Sequence, residues 1–252
     1  REFQLFAEGT SNPWGVAWDT EGSAFLSACV IDHLWHLTET GYYHRQGGPY
    51  PPFTWKIESI VKHKHQLAAY CGIHYFDSDA YPEQYRNKLY MGNIHGGCLN
   101  SDTVERSGSP YFGKPEPDFL TANDSWSQMI NFRYGPDGSV HVIDWYDKNQ
   151  CHSANPDVHN KTLGRIYHVR HDNDRWVRVD LGAKSSLELV ELQLHQNDWY
   201  VRHARRILQE RGPDRDRLGL GLGLGLGLGL GRGVGGGDRP PHSGAPPRRA
   251  LE

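Results

Sequence analysis

The sequence lacks the long apolar runs and the positive charge that mark membrane-spanning and nucleic-acid-binding proteins. No stretch approaches the roughly 18 consecutive apolar residues that a membrane-spanning helix needs, and 37% of the residues are hydrophobic. The formal net charge is −3, which provides no electrostatic attraction for nucleic acid. We therefore expect no membrane-spanning segment and no nucleic-acid partner.

Cysteine is scarce, and the common catalytic motifs are missing. Cys29, Cys71, Cys98 and Cys151 form no CxxC, CxxCH or zinc-ribbon spacing, so the sequence leaves their pairing open. The sequence also contains no GxSxG or Walker pattern, and residues 231–236, Gly-Arg-Gly-Val-Gly-Gly, match GxGxxG only within the glycine-rich C-terminal end, without the strand and helix of a dinucleotide-binding unit. The usual signatures of serine hydrolases, phosphate-loop enzymes and nicotinamide-binding Rossmann enzymes are therefore missing.

The chain also lacks an initial methionine. Its first residues, Arg1-Glu-Phe-Gln, do not have the shape of a signal peptide. We expect the chain to be an internal piece of a longer protein, so the missing leader leaves the cellular location open.

Aromatic residues, glycine and proline are abundant. Eight Trp and 13 Tyr accompany 29 Gly and 15 Pro. Aromatic side chains favour strands, and Gly and Pro favour the turns between strands. The composition predicts a mainly β fold with many turns.

One stretch, Tyr134–Asp147, shows the pattern most clearly. Residues 135–138, Gly-Pro-Asp-Gly, suit a tight turn because proline fixes φ at the second position and glycine is preferred at the last. Residues 140–143 are rich in β-branched side chains and predict a strand. Residues 144–147 then place two carboxylates and two large rings where the strand ends, and loops at strand ends commonly carry function.

The same turn and strand pattern occurs elsewhere in the chain. Gly22-Ser23 corresponds to Gly138-Ser139, and the two turns are followed by similar closing strands at residues 34–37 and 166–169. A looser copy has its turn at Asn87-Lys88. The spacing suits four-stranded propeller blades with long loops, so we expect the three turns to be equivalent in successive sheets.

The C-terminal part has a different character. Residues 180–212 predict two short helices, capped by Ser185 or Ser186 and by Asn197-Asp198. This helical hairpin would either pack on the β domain or begin a longer solenoid. Residues 213–252 contain a Leu-Gly repeat and a Gly-, Pro- and Arg-rich end, a composition that predicts disorder.

Histidines are concentrated in the middle of the chain. His63 and His65 alternate as residues on one face of a strand do, and with His74 and His95 they are candidate metal ligands. A role as polar loop residues is the simpler interpretation. His95 also lies in the glycine-rich stretch 92–97, which would either admit a ligand or form a turn.

Asp144 and Asp147 are the candidate acids of the strand exit. Their carboxylates could bind a cation, act as a base or cap the following loop. Trp145 and Tyr146 could stack on a flat ligand or fill the space between sheets. Arg165 could pair with an anionic cofactor or with Asp144. We expect Asn93, His95, Asp144, Trp145 and Asp147 to lie on one polar concave face.

Several motifs occur in the order found in one bacterial family. They are residues 13–22, 81–96, 105–109, 117–120, 135–138 with 144–147, and 164–167. Over about residues 3–212 the chain resembles the membrane-bound dehydrogenase-like proteins of planctomycete-type bacteria, which are β-propellers similar to soluble glucose and sorbosone dehydrogenases. That family commonly continues into HEAT-like repeats and a haem-binding cytochrome segment.

The resemblance implies a fold class and a domain plan. It implies an incomplete β-propeller over residues 1–172, with about three blades of a six-bladed type. Residues 180–212 resemble a HEAT-like repeat that could bind a protein partner, and residues 213–252 form the disordered tail. For the full-length family the resemblance implies a periplasmic or cell-envelope location.

The resemblance also implies a cofactor. Relatives of the glucose dehydrogenase type hold pyrroloquinoline quinone (PQQ) beside a calcium ion, and a histidine base takes the proton of the substrate hydroxyl. On this basis the candidate catalytic residues are His95 and Asp144, and the candidate metal ligand is Asp147. The candidate cofactor-binding residues are Asn93, Arg133, Trp145, Tyr146 and Arg165.

Two departures from the family pattern limit the activity that we expect. Within residues 126–133, where relatives offer arginines to the cofactor carboxylates, only Arg133 is present and it is displaced. The part that should carry the catalytic histidine is expected to precede Arg1. The sequence therefore favours a quinoprotein-like sugar or alcohol dehydrogenase domain that is inactive as an isolated chain. The alternative is a non-catalytic propeller platform that binds carbohydrate or protein partners.

Overall fold

The computed structural model of the protein describes residues 2–65, 69–150, 153–171 and 177–213. Cys151 and nearly all of the predicted Leu-Gly tail lie outside these ranges. Residues Arg1–Glu210 form one compact unit, and Arg211–Glu252 form a second that falls almost wholly outside the described ranges.

The described part of the chain is mainly β, as predicted, and its strands form three antiparallel sheets in chain order. The first sheet contains β1 (Pro13–Trp18), β2 (Ala24–Ala28) and β3 (Leu34–Leu37). The second contains β4 (Tyr70–Phe76), β5 (Lys88–Asn93), β6 (Cys98–Arg106) and β7 (Tyr111–Thr121). The third contains β8 (Met129–Tyr134), β9 (Val140–Trp145) and β10 (Gly164–Val169).

In all three sheets, the connection between the first and second strands contains a residue with a positive φ angle. Gly22, Asn87 and Gly138 have positive φ angles of 88°, 56° and 78°, and each lies between the first and second strands of its sheet. The Gly22 amide donates to the Asp19 carbonyl at 3.2 Å, and the Gly138 amide donates to the Gly135 carbonyl at 2.9 Å. The three predicted turns therefore occupy the same place in their sheets. The Asn87 turn differs in its hydrogen bond, because the Asn87 amide donates to the Phe76 carbonyl at 2.6 Å.

The closing strands also occupy equivalent places. β3 pairs with β2, and β10 pairs with β9, so each is the third strand of its sheet. The middle sheet has the four strands predicted for a blade. The first and third sheets have three strands each within the described residues, one fewer than predicted.

Successive sheets pack through their first strands. β1 contacts β4, and β4 contacts β8. Each of these first strands has an irregularity in its pairing, at residues 13–16, 71–73 and 129–131. Consecutive blades of a β-propeller are related in the same way, because their first strands surround the central channel.

Two glycines allow the backbones to approach at these irregularities. Gly15 has φ of +133°, and a Cβ atom there would lie 3.1 Å from the amide nitrogen of Ile73. Gly72 has φ of +65°, and a Cβ atom there would lie 3.1 Å from Oδ1 of Asn131. Glycine is therefore required at both places by conformation and by space.

Apolar side chains of the strands fill the two interfaces between sheets. The first interface contains Phe25, Leu34, Ile73, Leu89 and Met91. The second contains Phe76, Leu99, Phe132, Val140 and Val142. Each such side chain stabilises the fold by about 1.5–3 kcal/mol when fully buried, so the sheets hold one another in place and position the strand ends.

Two short helices follow the third sheet. They are α1 (Ser186–Glu191) and α2 (Asp198–Arg211), with a 3-10 turn at Leu192–Leu194 between them. As predicted, Ser185 caps α1, where its hydroxyl accepts from the Glu188 amide and the Glu188 carboxylate accepts from the Ser185 amide. Within the described residues, none of the helices is long and apolar enough to cross a lipid bilayer.

The helical segment is attached to the third sheet by Asn197. The side-chain carbonyl of Asn197 accepts from the Trp199 amide at 2.9 Å at the start of α2. Its side-chain nitrogen donates to the Gly135 carbonyl at 3.1 Å. The segment therefore packs on the β domain, one of the two arrangements left open by the sequence.

Candidate functional site

Asp144, the last acidic residue of β9, is held by hydrogen bonds within the fold. Its Oδ1 accepts from the Gln128 amide at 2.5 Å, and its Oδ2 accepts from the Tyr167 hydroxyl at 3.1 Å. The residue is only 2% exposed. Both carboxylate oxygens are thus occupied in joining the strands and loops of the third sheet.

Asp147 organises the loop that follows the third sheet's second strand. Its carboxylate accepts from the Trp145 indole at 2.7 Å and from the Asn160 amide. Nδ1 of His159 lies 3.3 Å from the same carboxylate. Burial raises the pKa of Asp147, but these hydrogen bonds outweigh burial and lower the pKa below its usual range. The loop-capping interpretation of Asp147 fits this arrangement.

Tyr146 and Arg165 form the centre of a stack of flat groups. The rings of Trp126 and Tyr146 are stacked, with centres 5.7 Å apart and an angle of 30° between their planes. The guanidinium carbon of Arg165 lies 3.5 Å from the centre of the Tyr146 ring. Its Nη1 is 3.6 Å from Oδ2 of Asp124. A cation over a tyrosine face is favourable, and here it is also paired with a carboxylate.

His95 lies in an exposed glycine-rich loop. Together with Gly97, Asp124 and Ser125 it lines a cavity of about 240 Å³. Asp124 therefore links the cavity to Arg165. The Trp126 amide donates to Asp124, and this bond lowers the pKa of the Asp124 carboxyl.

Asn93 supports the His95 loop from below. Its Oδ1 accepts from the Gly96 amide at 2.9 Å, and its Nδ2 donates to Oδ1 of Asn100 at 2.8 Å. Asn100 in turn donates to Asp118 at 2.6 Å. Asn93 is fully buried, so its role in the described structure is to position the loop.

Arg133 is bound to the backbone of neighbouring strands. Its Nη1 donates to the carbonyl of Phe132 at 2.7 Å and to Oδ1 of Asn131 at 3.0 Å. The same nitrogen lies 3.4 Å from the carbonyl of Ile73. The guanidinium therefore joins the second and third sheets.

The predicted site residues thus fall into separate groups. We use the name strand-end surface for His95, Asp124, Trp126, Tyr146 and Arg165. The sequence indicated His95, Tyr146 and Arg165. It missed Asp124 and Trp126 because both lie in the loop between β7 and β8, where no strand pattern marks them. Trp145 is 61% exposed, and its indole bonds to Asp147.

A second set of polar side chains lies in another part of the fold. We use the name histidine cluster for His33, His63, His65 and Asp102. Nε2 of His33 lies 2.7 Å from Oδ2 of Asp102, and Nε2 of His63 and of His65 lie 3.0 and 2.9 Å from Oδ1. The side chains of His33 and Asp102 are fully buried. Burial lowers the pKa of His33 below its usual value, although the hydrogen bond with Asp102 acts in the opposite direction.

The histidine cluster differs from the set that the sequence suggested. His74 is packed against Tyr134, with ring centres 4.5 Å apart, and His95 is exposed at the strand-end surface. Burial raises the pKa of Asp102, but hydrogen bonds from His33 and His65 outweigh burial and lower the pKa overall. The cluster therefore contains an ionised carboxylate.

Comparisons with known proteins identify a family. The model of a domain of unknown function, DUF7133, matches residues 1–173. No curated protein matches the chain.

Solved structures of sugar dehydrogenases are similar at low identity. An oxidoreductase (glucose dehydrogenase) from Thermus thermophilus is 18% identical, with a TM-score of 0.47 over 65% of this chain and 46% of that one. The PQQ-bound aldose sugar dehydrogenase of Streptomyces coelicolor is 16% identical, with a TM-score of 0.46 over 66% of this chain and 45% of that one. The soluble aldose sugar dehydrogenase of Escherichia coli, in its apo form, is 19% identical, with a TM-score of 0.43 over 56% and 43%.

The chain spans less than half the length of each of these three structures. The DUF7133 match, by contrast, covers more than half of this chain. The protein belongs to the DUF7133 family.

Proposed function

We propose that this chain is part of a β-propeller dehydrogenase domain that acts on a sugar or polyol, and that the strand-end surface binds the carbohydrate. The observation that carries the proposal is the stack of Arg165, Tyr146 and Trp126 beside the cavity of His95 and Asp124. The order of the family motifs along the sequence supports the dehydrogenase assignment.

The chemistry of the strand-end surface suits a carbohydrate. Flat aromatic faces pack against the apolar C–H faces of a sugar ring, and a few convergent polar groups fix its orientation. Arg165 can donate hydrogen bonds to hydroxyl groups, and ionised Asp124 can accept them. His95 is exposed at the same cavity, and in this proposal it exchanges a proton with a bound hydroxyl.

The packing of the three sheets supports the propeller part of the proposal. First strands contact first strands, and the same turn recurs between the first and second strands of each sheet. We propose that the sheets are about three blades of a six-bladed type, and that the helical segment is a HEAT-like repeat.

The described residues do not fit PQQ by themselves. PQQ is a flat tricarboxylate, which requires cations to bind its charges. Nη1 of Arg133 donates to protein oxygens, and the guanidinium of Arg165 faces Asp124. Both oxygens of Asp144 and of Asp147 accept hydrogen bonds from the protein, so neither residue presents a carboxylate free of protein donors to a calcium ion. We assign no step of an oxidation to PQQ at these residues.

The hydrogen bonds that Asp144 and Arg133 make within the fold favour a second candidate function. A non-catalytic propeller platform that binds carbohydrate or protein would need no base at Asp144 and no cofactor cation at Arg133. Both functions require the strand-end surface to bind a ligand, and they differ in turnover.

Titration with sugars tests the proposal. We expect glucose or a polyol to perturb amide signals of the 93–97 and 124–126 loops in NMR spectra. Tyr146→Ala removes the ring that both Trp126 and Arg165 contact, and we expect it to weaken binding about tenfold. Trp55→Ala is the matched control, because Trp55 is 87% exposed and lies outside the strand-end surface.

A dye-reduction assay tests whether this chain catalyses an oxidation by itself. With PQQ and Ca²⁺ added, we expect this chain to bind sugar without reducing the dye. Cofactor-dependent turnover that disappears in His95→Ala would establish catalysis in this chain. If no sugar or polyol binds at the strand-end surface, the proposed function is wrong.

A further inference from the structure

We infer that the histidine cluster is a binding site for a divalent transition-metal ion, Zn²⁺ in the first instance. The three imidazoles and one carboxylate each offer a ligand atom, and these atoms all lie within 4.8 Å of one another. None of the four residues belongs to the strand-end surface. The inference therefore stands apart from the proposed function.

The spacing of the three rings matches coordination of one ion. Ring centres of His33 and His63 lie 5.1 Å apart, those of His33 and His65 lie 5.3 Å apart, and those of His63 and His65 lie 5.2 Å apart. A tetrahedral zinc ion lies about 2.0–2.1 Å from each nitrogen, and a ring centre lies roughly 1.2 Å beyond its nitrogen. Three such rings therefore have centres about 5.2 Å apart.

The donor set indicates which ion would bind. Three imidazole nitrogens and one carboxylate oxygen suit Zn²⁺ and its first-row neighbours. Ca²⁺ and Mg²⁺ take oxygen ligands almost exclusively. The histidine cluster is therefore not a calcium site of the kind implied by the family resemblance.

The histidine cluster is largely buried, and without an ion its imidazoles share the single carboxylate of Asp102. His33 and Asp102 are fully buried. Oδ1 of Asp102 lies close to both His63 and His65. An ion bound between the four groups would replace these shared contacts with a separate bond to each ligand. The side chain of His63 is 20% exposed and gives an ion access from solvent.

The positions of the ligands indicate what the ion would do. His33 lies between β2 and β3, His63 and His65 lie between β3 and β4, and Asp102 lies on β6. The ion would therefore join the first sheet, its connecting segment and the second sheet. A site with four protein ligands and no open position is typical of structural zinc.

Metal titration of the full chain tests the inference. After removal of metals with EDTA, we expect one Zn²⁺ per chain by mass spectrometry of the metal content, and visible bands of four-coordinate Co²⁺ when Co²⁺ replaces it. At a free Zn²⁺ concentration 100 times Kd, the Tm should rise by about 5–10 °C.

Variants assign the binding to these residues. Loss of a residue that only hydrogen-bonds a metal ligand weakens metal binding by up to about 100-fold. His63→Ala removes a ligand itself, so it should weaken Zn²⁺ binding by more than about 100-fold. It should also abolish the rise in Tm. His95→Gln is the matched control, because His95 comes from the same histidine-rich region and lies outside the cluster; it should keep the wild-type affinity.

Two results would overturn the inference. One is a metal-stripped chain that binds no stoichiometric Zn²⁺ or Co²⁺, which would leave a hydrogen-bonded cluster without a metal. The other is equal Zn²⁺ affinity in the wild type and in His63→Ala. If His63→Ala does not fold, His63→Cys decides, because a thiolate preserves a zinc ligand: it must retain one Zn²⁺ per chain, and failure to do so also overturns the inference.

Discussion

The guanidinium carbon of Arg165 lies 3.5 Å from the centre of the Tyr146 ring, and the same guanidinium faces Asp124. Arg165→Gln removes both the stacked cation and the charge pair. We expect it to weaken sugar binding several-fold and to change the free energy of unfolding by less than about 1 kcal/mol, because the pair is solvent-exposed. Calorimetric titration and urea unfolding measure the two effects.

The control for this prediction is Arg206→Gln, which removes an exposed arginine on α2. It should leave sugar affinity unchanged. Equal losses of affinity in the two variants would mean that the net charge of the protein, and not the stack, determines binding.

Asp144→Asn tests the structural interpretation of this residue. In the variant, the side-chain NH₂ must face either the Gln128 amide or the Tyr167 hydroxyl, which donate to Asp144 in the wild type. The loss of one buried hydrogen bond should destabilise the fold by about 1–3 kcal/mol. Asp157→Asn changes an exposed aspartate nearby and should be close to neutral. Asp144 would be better assigned to chemistry if Asp144→Asn unfolded like the wild type in urea.

Gly72→Ala tests how closely the second and third sheets approach. The new Cβ would sit at a positive φ and 3.1 Å from the Ile130 carbonyl oxygen. We expect a loss of about 2–4 kcal/mol in the free energy of unfolding. At Gly47 a Cβ would meet nothing within 4 Å, so Gly47→Ala should be nearly neutral. Similar urea midpoints for the two variants would argue against the close approach.

The capping box of α1 predicts a pH-dependent stability. The Ser185 amide, the Ser185 hydroxyl and Lys184 lower the pKa of Glu188 to about 2 from an ordinary value of 4.5. Because the folded pKa is lower than the unfolded one, the contribution of the ionised carboxylate is fully present above pH 4.5. It is lost as the pH falls toward about 2.

Glu188→Gln isolates this effect, since glutamine can keep the capping geometry without the charge. The difference in urea midpoint between wild type and Glu188→Gln should be larger at about pH 6 than at about pH 3. Glu191→Gln, on the same helix and outside the capping box, should show no such change. A difference independent of pH would contradict the prediction.

Local sequence patterns predicted the repeating part of the fold. The turns at Gly22 and Gly138 were recognisable because each glycine is followed by a serine, Ser23 or Ser139. Both glycines have a positive φ angle in the structure. The caps at Ser185 and Asn197 were recognisable for a similar reason, since a cap is formed by neighbours in sequence.

The sites were predicted only in part, because they are assembled by packing. His63 and His65 were noticed through their alternation. Their partners His33 and Asp102 come from a different turn and from β6, and no spacing rule joins them. The position of Asp144 at the end of a strand suggested a reactive carboxylate. In the structure both of its oxygens accept hydrogen bonds from the protein.

The close backbone contacts at Gly15 and Gly72 restrict the residues at these two positions but not the lengths of the loops. At these two points the first strands meet through closely spaced backbone, and that contact does not involve the loops between the first and second strands. The connection between first and second strands is accordingly short in the first and third sheets and long in the second. A change in the length of such a loop would therefore leave the contacts at Gly15 and Gly72 in place.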